Sequence, residues 1–479
     1  MSNTQKAMNG GKWITVSTAI STLFQFLQVA VLARLLDPAD FGLVSVSNLI
    51  IAFFQIFSNL GFSNSIIYKQ ESDRNVLSTL YFLNLLVGFF IFVVIHISSP
   101  FIISFYHEPK LDRVLNLSSY YFMIAYFGQL YMFLLEKELR FKSVAMLDIA
   151  GTVIGSAVTV TLAYSGYREL SLIIGSLVTQ TVKSALQIIF GRSLFRPTWS
   201  FNIKEVKDHL RFGLYNMGDG FLGFIQFNSD NIFIGGMLGV KMLGYYTIAY
   251  QLAIFPIAKL NPIILQVAYP ILAKMKDNMA DLKKSYLKIL DFISYCNLPL
   301  LAGLFITADS VVPLIYGPGW EKTIDLIHIF VFVGIFTCLS HPLYTLVFTK
   351  GKPNLLFYLN LGTLIVKIPL VYVMGNYWGV TGIALAFLLT TAMNMIANFA
   401  IAHSIIGDFV GDFMRDVAKP IIFCLIMIGV IYTYKLFVGE TGLVNTLVEV
   451  GLGGATYGLL TLAYKLSFTE IKAYRQALL

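Results

Sequence analysis

The sequence predicts an all-α integral membrane protein with about fourteen transmembrane helices. Of the 479 residues, 57% are hydrophobic and only 13% are charged, about half the charged fraction of a soluble domain. Mean hydropathy is +0.74. Stretches that reach the roughly 20 mostly apolar residues of a span are 13–34, 41–62, 77–99, 115–134, 145–165, 170–190, 210–235, 243–268, 285–306, 324–346, 355–375, 379–402, 419–437 and 445–464.

Basic residues at the ends of these spans predict the orientation. With the N-terminus inside, the inner segments hold 24 Lys and Arg residues and the outer segments hold 7. This asymmetry follows the positive-inside rule and places both termini in the cytoplasm, which requires an even number of spans. The net charge of +8 therefore reflects the excess of basic residues on the cytoplasmic side of the membrane. We expect no nucleic-acid partner.

Signals for processing, disulfides and catalysis are missing from the sequence. The apolar run 14–33 is longer than the core of a typical signal peptide, so we expect a retained first helix. The three cysteines lie singly in different apolar segments, which argues against a disulfide or zinc framework. The loops carry no nucleotide-binding, metalloprotease or serine-hydrolase motif. We therefore expect a protein that is not an enzyme and holds no cofactor, with transport driven by a gradient or a partner.

An internal repeat is predicted at an offset of 202 residues, which superimposes span 1 on span 7 and span 2 on span 8. Both helix pairs are joined by a short outer turn that ends in Phe41-Gly42 or Leu243-Gly244. Six helices per repeat would give two parallel halves related by an axis along the membrane normal. The predicted domains are an N-terminal lobe (1–200, spans 1–6), a C-terminal lobe (201–405, spans 7–12) and two additional spans with a tail (406–479).

Polar residues form stripes along several spans. A stripe that crosses the bilayer lines either an aqueous cavity or a helix–helix contact, where Asn and Gln commonly bond across packed helices. The candidate cavity residues are Gln25, Gln28, Asn48, Gln55, Gln226 and Asn394.

Charged residues within spans are stronger candidates, because an ionised group at the bilayer centre costs about 2.5–3.5 kcal/mol even on insertion scales. Lys259 lies between Pro256 and Pro262, so its helix is expected to be kinked or locally unwound. Lys367 lies two residues before Pro369. Both lysines are candidates for lining a cavity. The alternative for Lys259 is an ion pair with Asp219 or Asp230 on the adjacent span. The lysines favour an anionic substrate, for which phosphate is the commonest group.

Several motifs resemble one family of exporters. They are Ala33-Arg34-Leu35-Leu36-Asp37-Pro38-Ala39-Asp40-Phe41-Gly42, Asn59-Leu60-Gly61-Phe62 with Ser65-Ile66-Ile67, Leu135-Glu136-Lys137-Glu138-Leu139-Arg140-Phe141, and Ser229-Asp230-Asn231-Ile232-Phe233-Ile234-Gly235 with Leu238-Gly239 and Leu243-Gly244-Tyr245-Tyr246. Over its whole length the chain resembles the bacterial polysaccharide-transporter, or oligosaccharide flippase, branch of the multidrug/oligosaccharidyl-lipid/polysaccharide exporter superfamily. The likeness is greatest to colanic-acid and teichuronic-acid exporters.

The resemblance implies two six-helix lobes, alternating access and a place in the bacterial inner membrane. It implies export of undecaprenyl-diphosphate-linked oligosaccharide repeat units from the inner to the outer leaflet, with membrane lipids and the polysaccharide polymerase or export machinery as partners. Lys259 and Lys367 would then neutralise the diphosphate while the polar stripes contact the sugars. Asp230 and Asp219 would either couple transport to a sodium ion or proton, or only pair with Lys259.

One departure concerns the position of the positive charge. Relatives often carry a basic residue shortly before the aspartate of span 7, where this chain has Gln226 and Phe227, and they have a small residue at the position of Lys259.

Two other functions remain as alternatives to the flippase. A drug or cation antiporter of the same superfamily would need an acid-lined pocket, and a membrane-embedded transferase or polymerase usually has a large outer loop, which this chain lacks.

Overall fold

The fold is helical throughout the part of the chain that the structure, a computed structural model, describes. These residues are 3–58, 62–438 and 442–465, and their side chains are described except at 3–9, 58, 62–64, 208–219 and 465. Within these ranges there are fifteen helices and no strand. The predicted fold class is confirmed.

The helices follow one another with short connections. The first eight are α1 (Asn3–Leu35), α2 (Pro38–Ser58), α3 (Phe62–Lys69), α4 (Arg74–Tyr106), α5 (Leu111–Lys137), α6 (Phe141–Tyr164), α7 (Glu169–Gly191) and α8 (Lys207–Leu238). The remaining seven are α9 (Val240–Lys274), α10 (Met279–Tyr316), α11 (Glu321–Ser340), α12 (Pro342–Thr349), α13 (Asn354–Ile406), α14 (Val410–Val438) and α15 (Leu443–Lys465).

Where the chain is described, the predicted spans fall on these helices, and span 324–346 is divided between α11 and α12. Residues 59–61 of the predicted span 41–62 lie outside the described residues. Eleven helical segments of the described chain are long and apolar enough to cross a membrane, and α5 and α8 are not among them. Helix α13 holds two of the predicted spans, because Gly379 (φ 62°, ψ −142°) divides it. This positive φ lies in the region that favours glycine. The structure is therefore consistent with about fourteen spans.

The chain forms two compact units, Met1–Gly244 and Tyr245–Leu479, called unit 1 and unit 2 below. In unit 1, α1 packs on α6, α6 on α7, α7 on α5 and α5 on α4, while α2 packs on α8 and α5. In unit 2, α10 packs on α11 and α14, α11 on α13, and α14 on α15. The lobe boundaries at 200 and 405 stay predictions.

Small residues allow α6 and α7 to approach closely. A side-chain carbon on Gly155 would overlap the Thr179 hydroxyl, and one on Gly175 would overlap the Thr159 hydroxyl. Lipid-embedded helices gain little from hydrophobic burial against one another, so their packing depends on such close contacts.

The two outer turns of the predicted repeat meet inside unit 1. A side-chain carbon on Gly42 would overlap the carbonyl oxygen of Val240, and one on Gly244 would overlap the carbonyl oxygen of Pro38. These two contacts map onto each other under the offset of 202 residues. The glycines at the ends of the two turns are therefore needed for the same reason, which is backbone-to-backbone contact.

An ion pair fixes the first of these turns. Arg168, between α6 and α7, donates to Asp37 (2.5 Å) and to the buried carboxylate of Asp40 (3.1 Å). The hydrogen bond to Asp40 contributes most to raising the pKa of Arg168, and Asp37 adds to it. The backbone of Arg168 has a positive φ of 45°. The Asp-Pro-Ala-Asp motif thus joins the start of α2 to the α6–α7 turn.

The last two helices are tied to unit 2 by buried polar groups. Glu449 on α15 is 3% exposed, accepts a hydrogen bond from Ser310 on α10 (3.1 Å) and lies 3.7 Å from the ammonium of Lys435 on α14. Lys435 also donates to the carbonyl of Ile306 (2.7 Å). These contacts hold α14 and α15 against α10.

Candidate functional site

Lys367 lies in the aromatic interior of unit 2. Its side chain on the first half of α13 is 2% exposed, and its ammonium lies 4.4 Å from the ring centre of Phe387 on the second half. Phe387 packs against Tyr250 (5.8 Å) and Phe330 (6.4 Å). A desolvated cation above an aromatic ring gains roughly 2 kcal/mol or more. The aromatic cluster therefore shields the ammonium of Lys367 and stabilises it.

Lys259 on α9 is in a different setting. Its side chain is half-buried, and its ammonium lies 5.9 Å from the ring centre of Phe255, one turn earlier. Among the described residues of unit 2, no carboxylate lies within ion-pair distance of it. Lys259 is therefore the more accessible of the two candidate lysines.

The helix around Lys259 corrects one expectation. Helix α9 runs without interruption from Val240 to Lys274, with Pro256, Pro262 and Pro270 inside it. Of the two alternatives expected there, local unwinding is absent and a kink stays a prediction. Helices within a membrane tolerate proline because neighbouring groups satisfy the freed carbonyls.

A buried polar network adjoins Lys259, and the sequence did not reveal it. Asn261 is fully buried; its amide donates to the carbonyl of Cys338 (3.3 Å) and lies 3.1 Å from the Nδ1 of His341. Asn297 on α10 donates to the Oδ1 of Asn261 (3.0 Å). The network joins α9 to α10 and to the end of α11. Asn261, its member on α9, lies two residues after Lys259. The one signal in the sequence was a pair of asparagines in apolar spans.

Asn394 lines a groove between the two halves of α13. Its amide donates to the Thr363 hydroxyl (2.9 Å), and Asn398 donates to its Oδ1 (2.6 Å). The groove has a volume of about 240 Å³ and is also lined by Tyr358. Thr363 and Lys367 are one helical turn apart, so the structure brings Asn394 and Lys367 to neighbouring levels of the same helix pair.

The candidate amides of unit 1 divide into two groups. Gln28 accepts a hydrogen bond from Ser156 on α6 (2.6 Å), and Gln55 donates to the Tyr121 hydroxyl on α5 (3.3 Å). These are the bonds that the helix-contact interpretation predicts. Gln25 and Asn48 are exposed, and since amides face lipid only at a cost, both fit an aqueous lining better. Substrate contact by any of the four stays a prediction.

The acidic candidates lie on α8. Asp230 is 3% exposed and follows Ser229, which is equally buried. Gln226, one turn earlier, is half-buried. Asp219 lies outside the residues whose side chains are described. Ion coupling through Asp230 or Asp219 stays a prediction, and no group of three or more metal-ligating side chains occurs within the described ranges.

Comparison with known proteins settles the family. A family model described as polysaccharide biosynthesis protein matches residues 31–325. The chain belongs to this family. It is 31% identical to the lipopolysaccharide biosynthesis protein WzxC of Escherichia coli (strain K12) over 83% of this chain and 81% of that protein. It is 28% identical to the teichuronic acid biosynthesis protein TuaB of Bacillus subtilis (strain 168) over 84% and 82%. The resemblance inferred from the motifs is confirmed.

Solved structures agree on the fold. The lipid II flippase MurJ in an inward closed conformation matches with a TM-score of 0.76 at 14% identity, covering 94% of this chain and 98% of that one. An inward-facing multidrug resistance transporter of the MATE family, in the MOP superfamily, matches with a TM-score of 0.55 at 19% identity, covering 83% and 95%. The chain is a multi-pass membrane protein with the fold of these transporters.

Proposed function

We propose that this protein exports polyprenyl-diphosphate-linked oligosaccharide repeat units from the inner to the outer leaflet by alternating access, for the assembly of a cell-surface polysaccharide. It would act in the bacterial cytoplasmic membrane, with both termini inside, and catalyse no covalent step. Polysaccharide polymerase or export machinery would receive its product.

One observation carries the proposal. In a family named for polysaccharide biosynthesis, unit 2 holds the half-buried ammonium of Lys259 within a membrane-spanning helix, with no described carboxylate in that unit at ion-pair distance. Intramembrane charges are retained for function more often than for stability. A diphosphate is the anion that a lipid-linked sugar carries, so the lysine and the family indicate the same substrate class.

The two lysines would then act differently. Lys259 would contact the diphosphate directly. Lys367 is shielded by Phe387 and would act over a longer distance, by making the interior of unit 2 electrostatically favourable for an anion. Gln25 and Asn48 in unit 1 and Asn394 in unit 2 would bind the sugar hydroxyls. A sodium ion or proton at Asp230 or Asp219 would reset the carrier.

The experiment uses proteoliposomes that contain the purified protein and a labelled undecaprenyl-diphosphate oligosaccharide. A glycosidase outside the vesicles reports how fast label from the inner leaflet becomes accessible. We expect protection to fall with time in the presence of protein, and to remain constant in protein-free vesicles. Constant protection under imposed pH and sodium gradients, together with efflux of cationic dyes by the same vesicles, would replace the proposal with a drug antiporter.

A further inference from the structure

A groove rich in arginine lies at the end of unit 1 that the basic residues place in the cytoplasm. It has a volume of about 430 Å³, and the residues that matter here are Ser72, Arg74, Arg192, Ser193 and Arg196. No carboxylate is among its lining residues. Guanidinium groups bind phosphate oxygens in a bidentate manner, and hydroxyls complete such sites. This surface is called the arginine groove below.

The motif at the end of α5, residues 135–141, holds both walls of the groove. The ammonium of Lys137 donates to the carbonyl of Glu71 (2.6 Å) and to the hydroxyl of Ser72 (2.8 Å). Arg140 donates to the hydroxyl of Ser193 (3.2 Å). Between them, Leu139 has a positive φ of 54°. The strained turn thus connects the loop before α4 to the segment after α7, so the groove is a built feature and not a chance gathering of side chains.

The segment after α7 is fixed along α4. The Nε of Arg74 donates to the carbonyl of Arg196 (3.0 Å), which leaves the outer nitrogens of Arg74 available to a ligand. Phe195 is 4% exposed and packs against Tyr81 and Tyr131. The backbone N–H of Thr198 donates to the hydroxyl of Ser78 on α4 (3.0 Å). The side chain of Arg74 and the backbone of Arg196 are therefore held in place before any ligand arrives.

The acidic residues nearby are engaged elsewhere. Asp73 caps α4 by accepting from the N–H groups of Asn75 (2.7 Å) and Val76 (3.2 Å). Glu71 accepts from the N–H groups of Ser72 and Asp73 (both 2.8 Å). Neither carboxylate bonds to Arg192 or Arg196 in the described structure. Asp73 and Glu71 keep their negative charge, but within the described ranges Arg74, Arg192 and Arg196 form no ion pair with a carboxylate. Their guanidinium groups are therefore available to an external anion.

An exposed tryptophan places the groove at the membrane surface. Trp199, three residues after Arg196, is 98% exposed and stacks on Phe82 of α4 at 5.6 Å with an interplanar angle of 17°. Phe201 is also exposed. Tryptophan side chains accumulate at the level of the lipid head groups. The groove is therefore within reach of lipid head groups.

We propose that Arg74, Arg192 and Arg196 bind the phosphate of an anionic lipid in the inner leaflet. Basic pockets between helices on the cytoplasmic side recognise such head groups. The phosphate belongs either to an anionic phospholipid or to a polyprenyl diphosphate. This site is separate from the candidate residues of transport, and its occupancy is measured without transport.

A second basic groove serves as a matched control. It lies between α10, α14 and α15 and contains Lys284, Lys288 and three aspartates. One of these, Asp412, already pairs with Lys283 (3.1 Å) and Arg415 (2.9 Å). Five basic residues and three aspartates line this groove, whereas no carboxylate lines the arginine groove. The control groove should therefore retain less anionic lipid than the arginine groove.

The test is native mass spectrometry of the full-length protein released from micelles. Phosphatidylglycerol, undecaprenyl diphosphate or inorganic phosphate is added in separate arms, with phosphatidylcholine as the zwitterionic reference. We expect one retained anionic lipid, whose affinity falls about tenfold in the Arg192→Gln/Arg196→Gln variant and stays unchanged in Lys284→Gln/Lys288→Gln. The Arg192→Lys/Arg196→Lys variant should fall in between, because it keeps the charge and loses the bidentate geometry. Equal thermal unfolding midpoints would show that all variants are folded.

The arms separate the outcomes. Tighter retention of undecaprenyl diphosphate than of phosphatidylglycerol would identify a carrier-lipid site, and the reverse order would identify a phospholipid site; both support the proposal. The proposal would be overturned if the wild type and the Arg192→Gln/Arg196→Gln variant retained the anionic lipid equally well. It would also be overturned if Lys284→Gln/Lys288→Gln lowered lipid affinity as much as Arg192→Gln/Arg196→Gln does. Displacement of the lipid by millimolar inorganic phosphate would overturn the assignment to a lipid.

Discussion

The two copies of the predicted 202-residue repeat agree where backbone meets backbone and differ where charge is placed. Gly42 and Gly244 occupy equivalent positions and make equivalent contacts. Elsewhere the first copy has Gln28 where the second has Asp230, and Phe57 where the second has Lys259. A close turn admits only glycine, whereas a side chain within a span can change without a backbone clash. At these two pairs of equivalent positions the second copy carries the charge, and the predictions below test that division.

Reversal of the accessible charge should have the largest effect. In Lys259→Glu we expect flipping in the proteoliposome assay to fall roughly a hundredfold or more, because like charges placed against the diphosphate cost several kcal/mol. The amount of protein in the membrane should be normal. Lys241→Glu is the matched control, since Lys241 is an exposed residue near the start of the same helix.

Two results would contradict this prediction. Flipping at the wild-type rate in Lys259→Glu would show that the second copy does not bind the diphosphate through Lys259. Equal losses in Lys259→Glu and Lys241→Glu would show that any negative charge on α9 is harmful, whatever its position.

Adding a methyl group at the glycine of either outer turn should lower the stability of the protein and leave substrate binding unchanged. In Gly42→Ala or Gly244→Ala we expect a loss of about 1–3 kcal/mol in the free energy of unfolding, the typical effect of overpacking. The thermal unfolding midpoint in micelles measures it. Gly223→Ala is the control, because nothing lies within 4 Å of a side-chain carbon at that position. A midpoint unchanged in Gly42→Ala but lowered in Gly244→Ala would show that the two turns are not equivalent.

The shielded charge should have a smaller effect on transport than the accessible one. In Lys367→Met we expect flipping to fall about tenfold, equivalent to about 1.4 kcal/mol, with stability unchanged or increased, because an apolar side chain of similar length removes a buried charge. Lys183→Met is the matched control, since Lys183 pairs with Asp148 (2.8 Å). If Lys367→Met transports as well as wild type while Lys259→Glu does not, Lys367 is a structural residue.

Local signals explain which parts of the fold the sequence predicts. Span length and hydropathy are properties of a continuous segment, so the predicted spans fall on helices wherever the chain is described. The break at Gly379 lies at the first residue of the predicted span 379–402, directly after the predicted gap 376–378. The prolines around Lys259 are also local. Of the two outcomes they predict, unwinding is absent and a kink stays a prediction, because packed neighbours can satisfy the backbone around a proline without a break in the helix.

Features that need two distant segments could not be read from the sequence. Asn261 and Asn297 are separated by 36 residues and bond only because α9 packs near α10. The same holds for Lys137 and Ser72, which are 65 residues apart. In the sequence, Lys137 counts as one of the basic residues on the inner side and as part of a family motif. Only the structure shows that Lys137 holds a wall of the arginine groove.

The smallest predicted effect tests the amides of the first copy. Ser156→Ala removes the hydrogen bond to Gln28, and we expect a loss of about 1 kcal/mol in the free energy of unfolding with flipping unchanged. Ser176→Ala is the control, because Ser176 bonds only to the carbonyl of Ile173 in its own helix. If Ser156→Ala instead slows flipping several-fold at unchanged stability, Gln28 acts on the substrate. The first copy would then share in substrate recognition with neutral groups, where the second copy uses charge.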